Sequence, residues 1–324
     1  MIHTFKMYIP LNYLEVQDIQ QRLGIKYSEL NSYFEDYYKG INAVLMSRGK
    51  GEWHLSMVVD VIQLLGTPDI KEGMYGRFEY KIKLMLMDIF GHSLSYKNHV
   101  LTRIDYRYDV VVQNKDERQL LIDLYKKMAR SYCRQTKRTG YQNKKTKEYV
   151  TYGTSVEHKS NSVKSLVYMK AEECRAKGRE PAPYENDVIR FEVQVGNNRL
   201  YYLEKEKGVP RKLSEYFKHQ EFLNHFELYI FPIYYTDTFY KLDEARKIIT
   251  KSPLKPQNKQ KLIDFLKKVS SYDLDTPLKS MTKATQKKRI ATLQILQINP
   301  ITIPKNYKNA PSILENPLKT CPIA

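Results

Sequence analysis

Leu101–Val110 alternates strictly: Ile104, Tyr106, Tyr108 and Val110 share one side of an extended chain, and Arg103, Asp105, Arg107 and Asp109 share the other. Asp187–Val195 repeats the design, with Ile189, Phe191, Val193 and Val195 opposite Arg190, Glu192 and Gln194. Between them, Val163–Lys170 sets Lys164, Tyr168 and Lys170 against Val163, Val167 and Met169. If the three strands pair, Asp105, Glu192, Tyr168 and Lys170 converge on one patch flanked by Arg103 and Arg190. Carboxylates, a phenol and an ammonium brought together form either a functional site or a salt-bridged surface. A half-buried sheet with a polar outer face accounts for alternation alone. It does not require acids mixed with arginines on two separate strands.

The elements that must position these strands are read from periodicity. His3–Ile9 alternates, with Phe5, Met7 and Ile9 on one side, and Trp53–Val59 alternates similarly. Arg77–Met87 fits a strand (Phe78, Tyr80, Ile82, Leu84) as well as a helix (Phe78, Ile82, Met85, Leu86, Ile89). Asp116–Arg134 reads as a helix with Leu120, Leu121, Leu124, Tyr125 and Met128 on its buried stripe. A basic loop follows, carrying Arg134, Lys137, Arg138, Lys144 and Lys145. Past Thr250 the prolines Pro253 and Pro256 mark a linker, and Gln257–Ser270 has helical spacing. Asp275 or Thr276 is placed to cap a second helix, with Pro277 in its first turn. A third, Lys283–Gln297, starts with Lys283, Lys287, Lys288 and Arg289 and places Ile290, Leu293, Ile295 and Leu296 behind them. These three resemble a helix-turn-helix module, with a plain helical cap as the other reading. The expected fold is α+β: a largely antiparallel sheet core with flanking helices, plus a small C-terminal helical segment. The expected organisation is a core over 1–249 (a mixed α/β part, 1–100, then an active-site part, 101–249). A helical DNA-binding segment over 250–300 and an extended proline-rich tail over 301–324 complete it.

Composition narrows the partner. The 324 residues are 42% hydrophobic and 28% charged, which argues for a folded chain with a proper core. Lysine and arginine number 54 against 36 acids, a net charge of +18, and this excess favours a polyanion. Tyrosine dominates the aromatics, with 27 against 11 phenylalanines and one tryptophan, and a tyrosine ring stacks on bases. No run of eighteen apolar residues spans a membrane, and the start of the chain lacks a secretory pattern. Cys133, Cys174 and Cys321 form neither a zinc pattern nor a disulfide framework, which is the usage of a reducing cytoplasm. No Gly-x-x-x-x-Gly-Lys phosphate loop is present.

In order along the chain come Met1-Ile2-His3-Thr4, Arg103-Ile104-Asp105, Val150-Thr151-Tyr152, and Leu166-Val167-Tyr168-Met169-Lys170 ending at Glu173. Val188-Ile189-Arg190-Phe191-Glu192 follows, then Arg199-Leu200-Tyr201 to Gly208-Val209-Pro210, and Ser280-Met281-Thr282-Lys283 on to Ile298. In this order and rough spacing the chain resembles the gene II replication endonuclease of filamentous phages and its phage and plasmid relatives. These nick an origin to start rolling-circle replication. Two departures stand out. Asp109 matches no family constant and is left unassigned, and Cys174–Asp187, with Pro181 and Pro183, makes its own join.

The resemblance implies that Tyr168, in a Tyr-x-Lys-x-x-Glu context, is the nucleophile, with Tyr152, Tyr201 and Tyr202 as fallbacks. Attack on the scissile phosphate gives a 5′-phosphotyrosine and a free 3′-hydroxyl, and stores the bond energy for rejoining. A phenol of pKa about 10 needs activation, which the Lys170 charge offers. The leaving oxygen and phosphate call for Mg²⁺ (or Mn²⁺) on carboxylates. Asp105 and Glu192 are candidates from strand face and resemblance, and Glu173 from resemblance alone. Arg103 and Arg190 either clamp phosphate or neutralise those acids. The seven histidines contain no His-hydrophobe-His pair, which favours carboxylate ligands. The expected partners are double-stranded origin DNA, single-stranded DNA, and a host helicase and DNA polymerase in a bacterial cytoplasm, with an oligomer open. Duplex recognition is expected of the basic loop and the helix from Lys283. The competing class is a non-catalytic origin-binding regulator on the same scaffold. A third, an RNA-binding or structural protein, explains charge and tyrosines but not the ordered motifs.

Overall fold

The computed structural model describes residues 1–49, 51–128, 135–137, 140–142, 149–151 and 153–322, with side chains omitted for 27, 135–137, 140–142 and 149–151. Its strands are β1 (Ile2–Leu11), β2 (Ile41–Gly49), β3 (Glu52–Asp60), β4 (Val100–Val111), β5 (Gln135–Lys137), β6 (Gly140–Gln142) and β7 (Tyr149–Thr151). They continue with β8 (Ser155–Lys159), β9 (Val163–Met169), β10 (Val188–Gly196), β11 (Phe239–Tyr240) and β12 (Ile313–Leu314). Eight form one sheet in the order β2-β3-β1-β4-β10-β9-β8-β5, while β6-β7 and β11-β12 are separate pairs. The pairings β1–β3, β1–β4, β2–β3 and β5–β8 are antiparallel. With helices flanking this sheet the fold is α+β. The chain divides into two compact units: residues 1–107, 161–164 and 192–225, and residues 108–160, 165–191 and 226–324.

In the first unit, helices α1 (Tyr13–Leu23), α2 (Leu30–Tyr37), α3 (Val61–Leu65) and α4 (Tyr75–Phe90) follow or interrupt the strands. Phe5, Met7 and Ile9 of β1 face Val59, Met57 and Leu55 of β3, which in turn face Ile41, Ala43 and Leu45 of β2. All are buried, and Phe78 of α4 packs edge-on against Phe5 at 5.3 Å between centroids. The ambiguous stretch at 77–87 is therefore helix. Sixteen residues of apolar 3.6 spacing exceed an ordinary strand, and Phe78, Ile82, Met85, Leu86 and Ile89 are its buried side. Asn12 and Glu15 close a capping box on α1, and the left-handed Gly24 ends it.

Helices continue with α5 (Lys115–Lys126), α6 (Lys170–Ala176), α7 (Asn197–Lys207), α8 (Leu213–Tyr216), α9 (His219–Tyr229) and α10 (Phe231–Tyr234). The last four are α11 (Leu242–Lys251), α12 (Pro256–Ser271), α13 (Asp275–Lys279) and α14 (Lys283–Ile295). The second unit is organised around Tyr125 of α5, fully buried, whose ring meets Phe191, Tyr234 and Phe239 edge-on. Its hydroxyl donates to Asn316 Oδ1 at 2.8 Å, and the Asn316 amide donates to the Tyr235 carbonyl at 3.0 Å. Tyr307 donates to Asp123, and Ile301, Ile303, Leu318 and Cys321 are buried. The residues past 300 thus pack into this unit.

Three details differ from expectation. The helix at 275 is capped by Asp273, which accepts from the Thr276 backbone and hydroxyl at 2.8 and 2.7 Å; Asp275 and Thr276 lie inside it. On α14 only Leu293 is fully packed, and Ile295 is 81% exposed, so the expected apolar stripe behind the lysines is narrow. The helix at 116 is described only to Met128; the rest of its expected length lies outside the described residues. Among the described residues no helix is long and apolar enough to cross a membrane.

Candidate functional site

The chemistry-bearing residues form two clusters, one in each unit. In the first unit, Asp105 sits on β4 across from Thr4 of β1, and Arg103 across from Lys6. Arg103 forks onto Asp105, with Nη2 2.7 Å from Oδ2 and Nε 3.1 Å from Oδ1. Glu192 of β10 is the second acid, and both carboxylates are buried. Burial, then the charge of Glu192, pushes the Asp105 carboxyl up to about 7, against the pull of Arg103 and of a hydrogen bond from Gln194.

His3 completes this cluster, and the sequence reading missed it. Its Nδ1 lies 3.7 Å from Glu192 Oε2 and is buried with no hydrogen-bond partner. It sits where the β1–β4 register shifts between Ile2 and Thr4, an irregularity with no sequence signature. Two carboxylates and one nitrogen suit a cation that takes few protein ligands. Among the described residues no group of three or more His, Cys, Asp or Glu closes into a metal cluster. Of the expected trio, Asp105 and Glu192 belong to the first unit and Glu173 to the second.

In the second unit, Tyr168 is buried near the end of β9, and the Lys170 ammonium lies 6.0 Å from the centroid of its ring. Lys170 reaches that place by a different route from the one expected. The strand ends at Met169 and Lys170 is the first residue of α6, so the two side chains do not share a strand face. Lys170 is buried and bridges Glu173 Oε2 at 2.7 Å and Glu185 Oε1 at 3.6 Å. Glu173, one turn along α6, also pairs with Lys177. Burial works to raise its pKa, but hydrogen bonds from Lys170 and Lys177 outweigh it and hold the carboxyl below its usual range. Glu173 is thus a counter-ion to Lys170.

Glu185 was not singled out from sequence. It comes from the Cys174–Asp187 join, the stretch that departs from the resemblance. Arg179 forks onto it at 2.8 and 2.9 Å, and the Ala182 amide donates to it at 2.9 Å. Burial alone would raise this acid; Arg179, Ala182 and Lys170 together push it down to about 2.

Arg190 pairs with a carboxylate, though not with one of the three acids weighed for it. It is fully buried and forks onto Asp109, Nε to Oδ1 at 2.7 Å and Nη2 to Oδ2 at 2.9 Å. A guanidinium so enclosed does not clamp DNA phosphate, and its partner is the acid that the resemblance left unassigned. Arg103 likewise neutralises a carboxylate, although 34% of its side chain is exposed.

Of the expected DNA contacts, Lys283, Lys287 and Lys288 are exposed on α14, and Arg289 is half-buried. Arg134, Arg138, Lys144 and Lys145 lie outside the described residues, and Lys137 ends β5 with no side chain described. Tyr152 also lies outside them; Tyr201 and Tyr202 are exposed on α7 beneath Lys205 and Arg199. His158 is buried with Nδ1 3.0 Å from the Tyr234 hydroxyl, a packing role.

No protein-family model matches the chain, and no curated protein matches it. Among solved structures it is similar to a rolling circle replication initiator protein from Geobacillus stearothermophilus, at 10% identity and a TM-score of 0.30. That match covers 64% of this chain and 77% of that one. It is also similar to the di-domain ARO/CYC protein BexL of the BE-7585A biosynthetic pathway, at 9% identity and a TM-score of 0.18, over 57% of this chain and 64% of that one. At such scores neither likeness bears on what the chain does.

The geometry sets two expectations. Asp109→Ala leaves the Arg190 guanidinium buried without its counter-charge, and should lower unfolding free energy by about 3–5 kcal/mol in urea titrations. Asp105, raised above its unfolded value, favours the folded state below about pH 4, and that contribution is lost as pH rises through about 7. Asp105→Asn should therefore gain stability relative to the native chain as pH goes from 4 to 7, measured by thermal melts across that window.

Proposed function

We propose that the chain is a rolling-circle replication initiator that nicks one strand at a DNA origin with Tyr168 and later rejoins it. The observation that carries this reading is the Lys170 ammonium, fixed by Glu173 and Glu185 beside the ring of a buried tyrosine. A cation held there favours phenolate over phenol. The ordered motifs around Tyr168, the net charge of +18 and the tyrosine content support the same class.

In the proposed step the Tyr168 hydroxyl gives up its proton and its oxygen attacks the scissile phosphorus. The phosphorus–O3′ bond breaks, the 3′ oxygen takes up a proton, and a 5′-phosphotyrosine remains. The released 3′-hydroxyl primes a host polymerase behind a host helicase. Rejoining is the reverse attack by a 3′-hydroxyl, with tyrosine as the leaving group. Asp105 and Glu192 are the residues proposed to hold Mg²⁺ or Mn²⁺, with His3 Nδ1 beside them. A divalent ion held there would supply positive charge to phosphate oxygens. Glu173, committed to two lysines, is assigned to positioning Lys170.

The test incubates the full-length protein with a supercoiled plasmid carrying the DNA that flanks its own gene, in Mg²⁺ or Mn²⁺. A covalent peptide–DNA adduct on Tyr168, absent in Tyr168→Phe, is expected. An adduct on another tyrosine keeps the function and overturns the site, and tight binding without breakage selects the regulator. Lys170→Met should slow nicking at pH 7 about tenfold for each unit by which the phenol pKa rises, and displace the rate profile to higher pH. Lys170→Arg should restore part of it.

Duplex recognition is proposed for α14 and the basic loop. The triple variant Lys283→Glu, Lys287→Glu, Lys288→Glu should lose duplex binding and reduce its salt dependence, while single-stranded oligonucleotide is still cut. Band-shift and cleavage assays at two salt concentrations separate these effects.

A further inference from the structure

Strands β1, β2 and β3 of the first unit are packed on one face only. The burial of β2 alternates strictly from Ile41 to Met46, and on its open side Val44 is 42% and Met46 40% exposed. The cross-strand register brings Tyr8 opposite Ser56 and His54 opposite Pro10 and Met46, so that these residues share the open face. Tyr8 and His54 stack with ring centroids 4.1 Å apart and planes within 10°. Both rings are half-exposed.

The outer end of this face carries the cations Lys6 and Arg48 and one exposed acid, Glu52, whose charge reaches His54. Arg48 reaches from the end of β2 to His54, Nε to Nδ1 at 3.3 Å, and Lys6 lies beside Arg103 across the β1–β4 pairing. Neither Lys6 nor Arg48 is ion-paired among the described residues. At the opposite end of β3, Asp60 is occupied in capping α3 through the Ile62 and Gln63 amides. Burial, then the charge of Arg48, lowers the His54 pKa, so its ring is neutral at physiological pH. The Tyr8 position lies four residues along β1 from Thr4, the partner of Asp105, or about 13 Å.

An open face on a basic protein needs only solvated side chains. Two stacked rings beside an aliphatic strip, with two cations that form no ion pair among the described residues, suit something flat and negatively charged. A second copy of the chain is disfavoured by the mutual repulsion of molecules at +18. We propose that this face binds single-stranded DNA, with a base stacked against the Tyr8–His54 pair and Val44 and Met46, and with Lys6 and Arg48 on the flanking phosphates. Aromatic stacking plus a cationic track is how strands are held without base-pair readout. The choice of DNA over RNA rests on the function proposed above; the stacking and charge argument does not.

The experiment uses full-length Tyr168→Phe protein, which keeps the probe intact, and measures fluorescence anisotropy with a short labelled oligothymidylate. Tyr8→Leu, His54→Ala and Val44→Asp should each weaken binding about fivefold or more, and Tyr8→Phe should bind as the parent does. Lys6→Gln with Arg48→Gln should flatten the salt dependence by more than one phosphate contact. Val44→Asp and the double cation variant alter exposed or half-exposed groups, and urea midpoints equal to the parent's establish that they fold. Unchanged affinity in these folded variants overturns the proposal. Oligouridylate bound as tightly as oligothymidylate overturns the commitment to DNA. A sedimentation dimer broken by Val44→Asp assigns the face to a second copy and overturns it as well. Failure of the nicking reading is separately visible: no adduct from the native protein, while these variants still lose oligonucleotide binding.

Discussion

A cation removed from water must bring its counter-charge with it, and much of this chain's polar architecture obeys that constraint. Arg190 has no exposed surface and is forked by Asp109; Lys170 is nearly as enclosed and is met by Glu173 and Glu185. Stripping either ion of its partner costs several kcal/mol, far more than a surface pair contributes. The partners are supplied redundantly around Lys170, where Arg179 and Lys177 in turn hold the two acids in place. A lysine secured from several directions keeps one position relative to its neighbours, which is what electrostatic activation of a phenol requires.

The acid pair in the first unit is the opposite case. Burial and the charge of Glu192 both raise the Asp105 carboxyl, and Arg103 offsets only part of that rise. A complete ion lattice stabilises a fold, whereas an incomplete one invites an added cation. The contrast between the two clusters separates a positioning network from a candidate binding pair.

Much of this was legible from residue types and spacing. Strict alternation located β1, β3, β4 and β10, and the helical spacing of α5 and α12 survived folding. What alternation does not convey is whether the polar side of a strand faces water. Arg190 reads as outward-facing, yet Val188–Phe191 are buried on both sides, and the pairing with Asp109 depends on a contact 81 residues away. Period two also assigned Lys170 to the Tyr168 side. The chain instead turns helical at that residue, because Ala171, Glu172 and Glu173 favour helix and nothing extends the strand. His3 was invisible for a third reason: a register shift between paired strands leaves no mark in the sequence of either.

Asn316 joins the Tyr125 hydroxyl to the backbone at Tyr235, and neither group has a comparable substitute nearby among the interactions described for it. Protein synthesis runs from the amino end, so the centre of the second unit stays open until that asparagine has left the ribosome. A nascent chain carrying Tyr168 but still short of residue 316 holds that residue in an unfinished scaffold. Closure of the second unit's aromatic centre is thereby coupled to synthesis of the segment around residue 316.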